Sequence, residues 1–446
     1  MASELFPNRN HIVTLCRYAI PIVTVQLGVN LMGAVDALMV GRLSATELAA
    51  VALGHLYFMT ISSFGSGTLL ALDTVISQAV GSQQQEPVRL GIQRGLLIAV
   101  PLSLVTGLLL LPSENLFIFL RQPTDAVPLA SNYAMASIAG VLPLYVFLVL
   151  RQSLQCLGSF SPIVWAVIIG NLANIFLNWI FVFGHFGAPE MGAVGAGWTT
   201  AVGRWVMAFV VLNRGWSWLE THLISFNKEV FNRLAILRIF QIGCPIGIQV
   251  TLEYGVFAVI GLLVGLLGTV AMASHQIAIS LASLTFMIAV GIAQATTVLV
   301  GKSVGSRNTL MAKRFAGAGL LNVVVVMTGT ALMFFFLPEF LASLYSDDIA
   351  VVALATILIP IAGIFQIVDG LQAVSSGILR GVGDTLVPML INLVGFWFIG
   401  LPVSAYLGFR LEMATVGLWW GMVVALGVVC LCLVLRVKKH FLNEKG

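Results

Sequence analysis

Four carboxylic acids stand inside stretches of apolar residues long enough to cross a lipid bilayer: Asp36, Asp73, Glu253 and Asp369. A charge at that depth costs about 2.5–3.5 kcal/mol even on lenient insertion scales, so such residues face a partner or cavity and handle ions, protons or cationic ligands. Glu253 is the plainest case. It lies near the middle of the run from Gly243 to Gly265, with Pro245 eight residues before it and Gln249 one turn before it. Gln249 and Glu253 therefore share a helical face, and the proline removes one backbone hydrogen bond and permits a bend. Neither the Glu253 nor the Asp369 segment carries a matching buried base. The chemistry implied is reversible neutralisation of a carboxylate by a proton, a metal ion or an organic cation.

Asp36 precedes Arg42 by six residues, about 9 Å of helix rise, which places it in the outer half of the first segment. Asn171, Asn174 and Asn178 recur at spacings of three and four on the fifth segment, so they form one stripe. Such a stripe is interhelical glue when alone. Beside a carboxylate it is a cation cradle, with Asp36, Asn174, Asn178 and Thr200 as the cation-coupling set. Their amide and hydroxyl oxygens would complete a sodium shell. Asp73 reads either as a cytoplasmic gate or as an anchor near Gln78. Tyr254, Phe286, Phe365 and Trp397 suit an organic cation through cation–π contact, although aromatic packing is the default for each. His55 and His275 read as core polar groups, and Arg204 as a helix-end residue reaching towards the membrane surface.

The elements that must position these groups follow from composition. Hydrophobic residues make up 59% of the chain and charged ones 9%, against about 25% charged in soluble domains. Twelve apolar segments suit spanning helices of about 20 residues, and the alternation of a membrane β-barrel is absent. The first segment is too long for a cleaved signal peptide. The five cysteines, Cys16, Cys156, Cys244, Cys430 and Cys432, show neither zinc spacing nor a disulfide framework. No His-Glu-x-x-His, Gly-x-Ser-x-Gly or Cys/His cluster is present, so the chain is expected to be neither an enzyme nor the holder of a cofactor. The net charge of +4 does not point to nucleic acid, because the basic residues sort by membrane side. Arg89, Arg94, Arg151, Lys228, Arg233, Lys302, Arg380, Lys439 and Lys445 fall in one set of connections, and the opposite set holds only Arg42, Arg121 and Arg410. Positive-inside bias then places both termini in the cytoplasm.

The pattern restarts half-way. Pro21 and Pro245, Val40-Gly41 and Val264-Gly265, Ala49 and Ala273, and Val80-Gly81-Ser82 and Val304-Gly305-Ser306 are each 224 residues apart. Pro162 and Pro388 differ by 226, and Gly195 and Gly417 by 222. The chain is therefore two parallel copies of a six-helix unit, an arrangement that encloses a midplane cavity. The division expected is residues 1–218, a linker over 219–233, and residues 234–446. Trp216, Trp218, Leu219, Leu223 and Phe226 make the connection a segment lying in the membrane interface. The acids break the symmetry, since Glu253 corresponds to Val29, Asp36 to Ile260 and Asp73 to Thr297.

The stretches Val35-Asp36-Ala37-Leu38-Met39-Val40-Gly41-Arg42-Leu43, Ala71-Leu72-Asp73-Thr74 with Gln78-Ala79-Val80-Gly81, Leu252-Glu253-Tyr254-Gly255, Val368-Asp369-Gly370 and Ser376-Gly377-Ile378-Leu379-Arg380-Gly381 resemble the multidrug and toxic compound extrusion (MATE) family, in its NorM-like branch. The likeness covers nearly the whole chain. It implies an all-α integral membrane protein of twelve helices in two pseudo-symmetric six-helix lobes, V-shaped, exporting organic cations in exchange for inward sodium ions or protons. It also implies coupling roles for Asp36, Glu253 and Asp369, with Gln249, Tyr254, Phe286 and Phe365 joining Glu253 and Asp369 in substrate binding. The pattern is departed from in two ways: Phe365 stands where relatives can have a tyrosine, and Asn174 and Asn178 occupy the face where a second acid can occur. The expected setting is the bacterial inner membrane, the expected partners small cationic drugs and lipids, and the expected state a monomer. The rival reading, a flippase for lipid-linked precursors, requires a basic cavity, whereas the mid-span charges here are acidic. Cysteines replacing Lys228 and Lys439 should resist a membrane-impermeant thiol reagent added outside intact cells; labelling at either position would overturn the topology.

Overall fold

The computed structural model describes residues 7–224 and 227–443; Phe226 and Lys445 lie outside the described residues. Among the described residues, eleven helices are long and apolar enough to cross a membrane, and a pair bent by 49° makes twelve when counted as one span. In chain order they are α1 (Arg9–Val40), α2 (Ala45–Gly81), α3 (Gln85–Leu110), α4 (Val127–Ile138 and Val141–Leu157, bent by 49°), α5 (Ser161–Phe181), α6 (Gly192–Arg214), α7 (Arg233–Gly265), α8 (Thr269–Gly305), α9 (Thr309–Phe336), α10 (Ile349–Val382), α11 (Leu386–Arg410) and α12 (Ala414–Phe441). Helices are the outcome the solvent imposes, because an apolar chain in lipid must satisfy its backbone groups within each segment. In α11, Leu393–Gly400 and Tyr406–Arg410 widen into π-helical turns, a geometry often found at functional sites.

Two compact units result: residues 24–247, and residues 1–23 with 248–446. These boundaries fall inside α1 and α7, two residues after Pro21 and Pro245, and are themselves 224 residues apart. Each repeat thus lends the first half of its first helix to the other unit. Small residues at equivalent positions make this possible. In the first unit, a Cβ on Gly67 would stand 2.8 Å from the Cα of Gly247; in the second, a Cβ on Gly291 would stand 2.4 Å from Val23 Cγ2. The compact units and the repeat-based division therefore differ in these two half-helices.

The connection after α6 is held to the first unit. Leu219 and Val230 are fully buried. Gln93 donates to the His222 carbonyl at 2.8 Å, and Arg94 donates to the carbonyls of Glu229 at 2.7 Å and Val230 at 3.4 Å. At the opposite end of the same unit, Ser44 caps α2 by accepting from the Glu47 N–H at 3.1 Å. The Glu47 carboxylate in turn accepts from the Ala193 N–H, at 2.6 Å, in the first turn of α6.

Arg151, grouped above with the connections, is instead buried within α4. Its guanidinium donates to Gln26 Oε1 at 2.7 Å, and its charge acts on Asp73. Arg151 thus ties α4 to α1 through a hydrogen bond and is electrostatically coupled to Asp73 on α2. Gly67→Leu and Gly291→Leu should each destabilise the detergent-solubilised protein by about 1–3 kcal/mol through overpacking; equal thermal midpoints for wild type and both variants would contradict the crossed-helix packing.

Candidate functional site

In the first unit, α1, α5 and α6 bring Asp36, Asn174, Asn178 and Thr200 together as their spacing requires. All four are buried. Asp36 Oδ1 accepts from Asn178 Nδ2 at 2.6 Å and from Asn174 Nδ2 at 3.1 Å, and its Oδ2 accepts from the Thr200 hydroxyl. The amide oxygens are used elsewhere: Asn174 Oδ1 accepts from Asn178 Nδ2 at 3.4 Å, and Asn178 Oδ1 accepts from Thr199. The ring therefore turns donors towards Asp36, which suits an ionised carboxylate that can only accept. In this arrangement the amides offer N–H groups rather than oxygens, and a hard cation needs oxygens.

Arg204 corrects the sequence reading. It lies ten residues before Arg214 at the end of α6, about 15 Å of helix rise, too far for its side chain to reach the surface. It is 5% exposed, its guanidinium carbon sits 4.1 Å from the centroid of the Phe58 ring, and its charge acts on Asp36. One turn after Thr200, it shares the α6 face that holds Asp36.

The second unit contains Glu253 and Asp369. Gln249 and Gln372 each donate an amide N–H to Glu253 Oε1 at 3.0 Å. Gln249 also reaches Ser376 at 3.4 Å, and Gln372 reaches Asn392 Oδ1 at 3.2 Å, so α7, α10 and α11 share one polar network. Arg380, further along α10, acts on Glu253 and supplies a base that the sequence reading did not assign to it. Asp369 is different. It is buried, no described side chain hydrogen-bonds it, and the charged group that acts on it is the Glu253 carboxylate. One turn before Asp369 on α10 and one to two turns after Glu253 on α7, Phe365, Val256, Phe257 and Ile260 join Phe396 and Met422 to line a small apolar pocket. Phe365 is 3% exposed and packs edge-on against Phe257 and Trp419, with ring centroids 6.1 and 5.8 Å apart. The π-helical turns of α11 present Phe396 and Gly400 to this pocket.

The remaining candidates are more scattered. Tyr254 is half exposed at 49%, Phe286 is half-buried, and neither hydrogen-bonds the acid pair. The Trp397 indole donates to the Leu252 carbonyl at 3.2 Å, and a Cβ on Gly255 would meet its ring at 3.0 Å, so Trp397 serves α7–α11 packing. His275 is buried edge-on to Trp419, with centroids 5.6 Å apart. Gln372, Ser376 and Asn392 were not singled out in the sequence. Gln372, three residues after Asp369 and on its face, was the available signal.

A bundle of apolar spans in two repeated units, each with mid-span acids, defines a membrane transporter. The MatE family profile matches residues 21–180 and again 245–406, two stretches whose starts are 224 residues apart, as the repeat requires. The chain is 35% identical over 426 residues, 93% of its length and 90% of the relative's, to the probable multidrug resistance protein NorM of Rhizobium meliloti (strain 1021). It therefore belongs to the MATE family, whose members are ion-coupled transporters and not enzymes. Its fold is shared with the eukaryotic MATE transporter AtDTX14 at a TM-score of 0.86 and 22% identity, covering 97% of this chain and 98% of that one. The Vibrio cholerae MATE transporter VcmN in its bent form superposes at 0.85 and 18% identity, covering 98% of each chain.

Asp369→Asn removes a buried like charge and breaks no hydrogen bond. It should abolish coupled transport of an organic cation into inverted vesicles while leaving the thermal midpoint equal to or above that of wild type. Wild-type transport by the well-expressed variant would remove Asp369 from the mechanism.

Proposed function

We propose that this chain is a secondary antiporter that exports organic cations across the bacterial inner membrane in exchange for inward sodium ions or protons. It works as a monomer with both termini in the cytoplasm. The observation that carries this reading is Asp369: a buried acid with no hydrogen-bond partner among the described residues, acted on by a second acid, beside an apolar and aromatic pocket. Two carboxylates in a low-dielectric site repel strongly, and adding a cation or a proton relieves that repulsion. An organic cation brings both a charge for the acids and an apolar body for the pocket. A sodium ion or proton brings only the charge. If the two compete for the same acids, entry of the small cation from outside releases the larger one, and the shape-tolerant pocket admits many larger ones. The multidrug resistance name of the Rhizobium meliloti relative supports the substrate class.

The flippase reading would need a basic cavity. The buried bases found here do not make one, because Arg204 acts on Asp36 and Arg151 acts on Asp73. The deciding experiment is purified protein in proteoliposomes, with sodium and proton gradients imposed separately and a labelled organic cation as probe. At least one gradient should drive its counterflow. No response to either gradient would overturn the antiport reading.

A further inference from the structure

The buried charge of Arg204 is not used by the mechanism above, yet it lies at an acid site. Arg204 is 95% removed from solvent and sits at mid-span, where an uncompensated charge is strongly disfavoured. Its surroundings name the compensation. The groups that act on it are Tyr133 from α4, then Asp36 from α1 and Tyr145 from α4, and its own charge is felt by His55 from α2. Of these, only Asp36 is an acid. Arg151 is already coupled to the other mid-span acid of this unit, Asp73. The way Arg204 is held is also informative. The guanidinium carbon lies over the Phe58 ring in cation–π contact, but its Nη1 is buried without a hydrogen-bond partner among the described residues. A Cβ on Gly140, at the bend of α4, would stand 3.1 Å from that nitrogen, so a glycine leaves the space it occupies. The guanidinium is therefore held by a ring face rather than clamped by hydrogen bonds. Meanwhile the carboxylate it balances is surrounded by donors from Asn174, Asn178 and Thr200.

We propose that Arg204 is the internal counter-ion of Asp36, so that Arg204 and an external cation are alternative balancing charges for this carboxylate. With Arg204 in place, the pocket is neutral when Asp36 is ionised and holds sodium weakly. When a cation does neutralise Asp36, the buried guanidinium is left without a counter-charge, and this favours a rearrangement that returns one of the two cations to water. Arg204 is on this account a positioning residue that sets which cation the first unit accepts. The consequence for transport rests on the antiport reading, whereas the pairing does not.

The test uses the full chain in detergent, free of any gradient, with Asp36→Asn, Arg204→Gln and the double variant. As a buried pair, each single substitution should lower the thermal midpoint, and the double should recover at least half of the summed loss. Additive losses would overturn the pairing. If Arg204→Gln alone fails to fold, recovery in the double supports the pair, and equal failure of both contradicts it. A second readout is sodium-dependent thermal stabilisation in an Asp369→Asn background, which silences the second unit. There Arg204→Gln should bind sodium at least tenfold more tightly than its Arg204 parent. Arg204→Lys should match the parent, and adding Asp36→Asn should abolish the gain. Equal sodium responses with and without Arg204 would overturn its role in cation choice. Failure of gradient-driven transport would leave both measurements intact, so the two readings fail separately.

Discussion

Everything in this molecule answers to the price of charge in a medium without water. An ionised side chain on a spanning helix must find a partner, a cavity or a ligand. The first unit meets this demand internally. The charge of Arg151 acts on Asp73, and that of Arg204 acts on Asp36, whose oxygens also accept from three side-chain donors. The second unit meets it only in part. Glu253 has two glutamine amides and the field of Arg380, while Asp369 has no hydrogen bond and the repulsion of its neighbour. A site left incomplete by its own protein is one that a cation from outside can complete.

The repeat supplies the frame on which this difference is written. Both units use the same small-residue contact to receive half of a helix from the other repeat, Gly67 against Gly247 and Val23 against Gly291. A proline stands two residues before each crossing point, where a missing backbone hydrogen bond makes bending easy. The helices that carry Asp36 and Glu253 are thus the two helices shared between units. A change in charge at either acid acts on an element that belongs to both.

Much of this was legible in the sequence because lipid constrains sequence so tightly. The spans, the 224-residue repeat, the acids and the Asn174–Asn178 stripe follow from apolar length and from spacings of three and four. The reading went wrong where a basic residue had to be placed by depth. Arg151 and Arg204 look like membrane-edge residues until packing shows them inside, because their position depends on helix limits that composition blurs by a turn or more. The π-helical turns of α11 and the break in α4 were also invisible, since both are backbone responses to neighbouring helices rather than local preferences. The Gln372–Glu253 contact required knowing which faces of α7 and α10 meet. The aromatic candidates divided for the same reason: Phe365 lines the pocket, whereas Tyr254 is half exposed.

The central claim is that one unsatisfied carboxylate, Asp369, is where small and large cations exclude each other. The direct measurement is equilibrium binding of a fluorescent organic cation to the purified wild-type protein, titrated against sodium at fixed pH and then against pH without sodium. The account predicts that the apparent Kd rises in proportion to the concentration of the coupling cation once that cation saturates the site, with no loss of total binding sites. An affinity for the organic cation that stays constant across both titrations would contradict it.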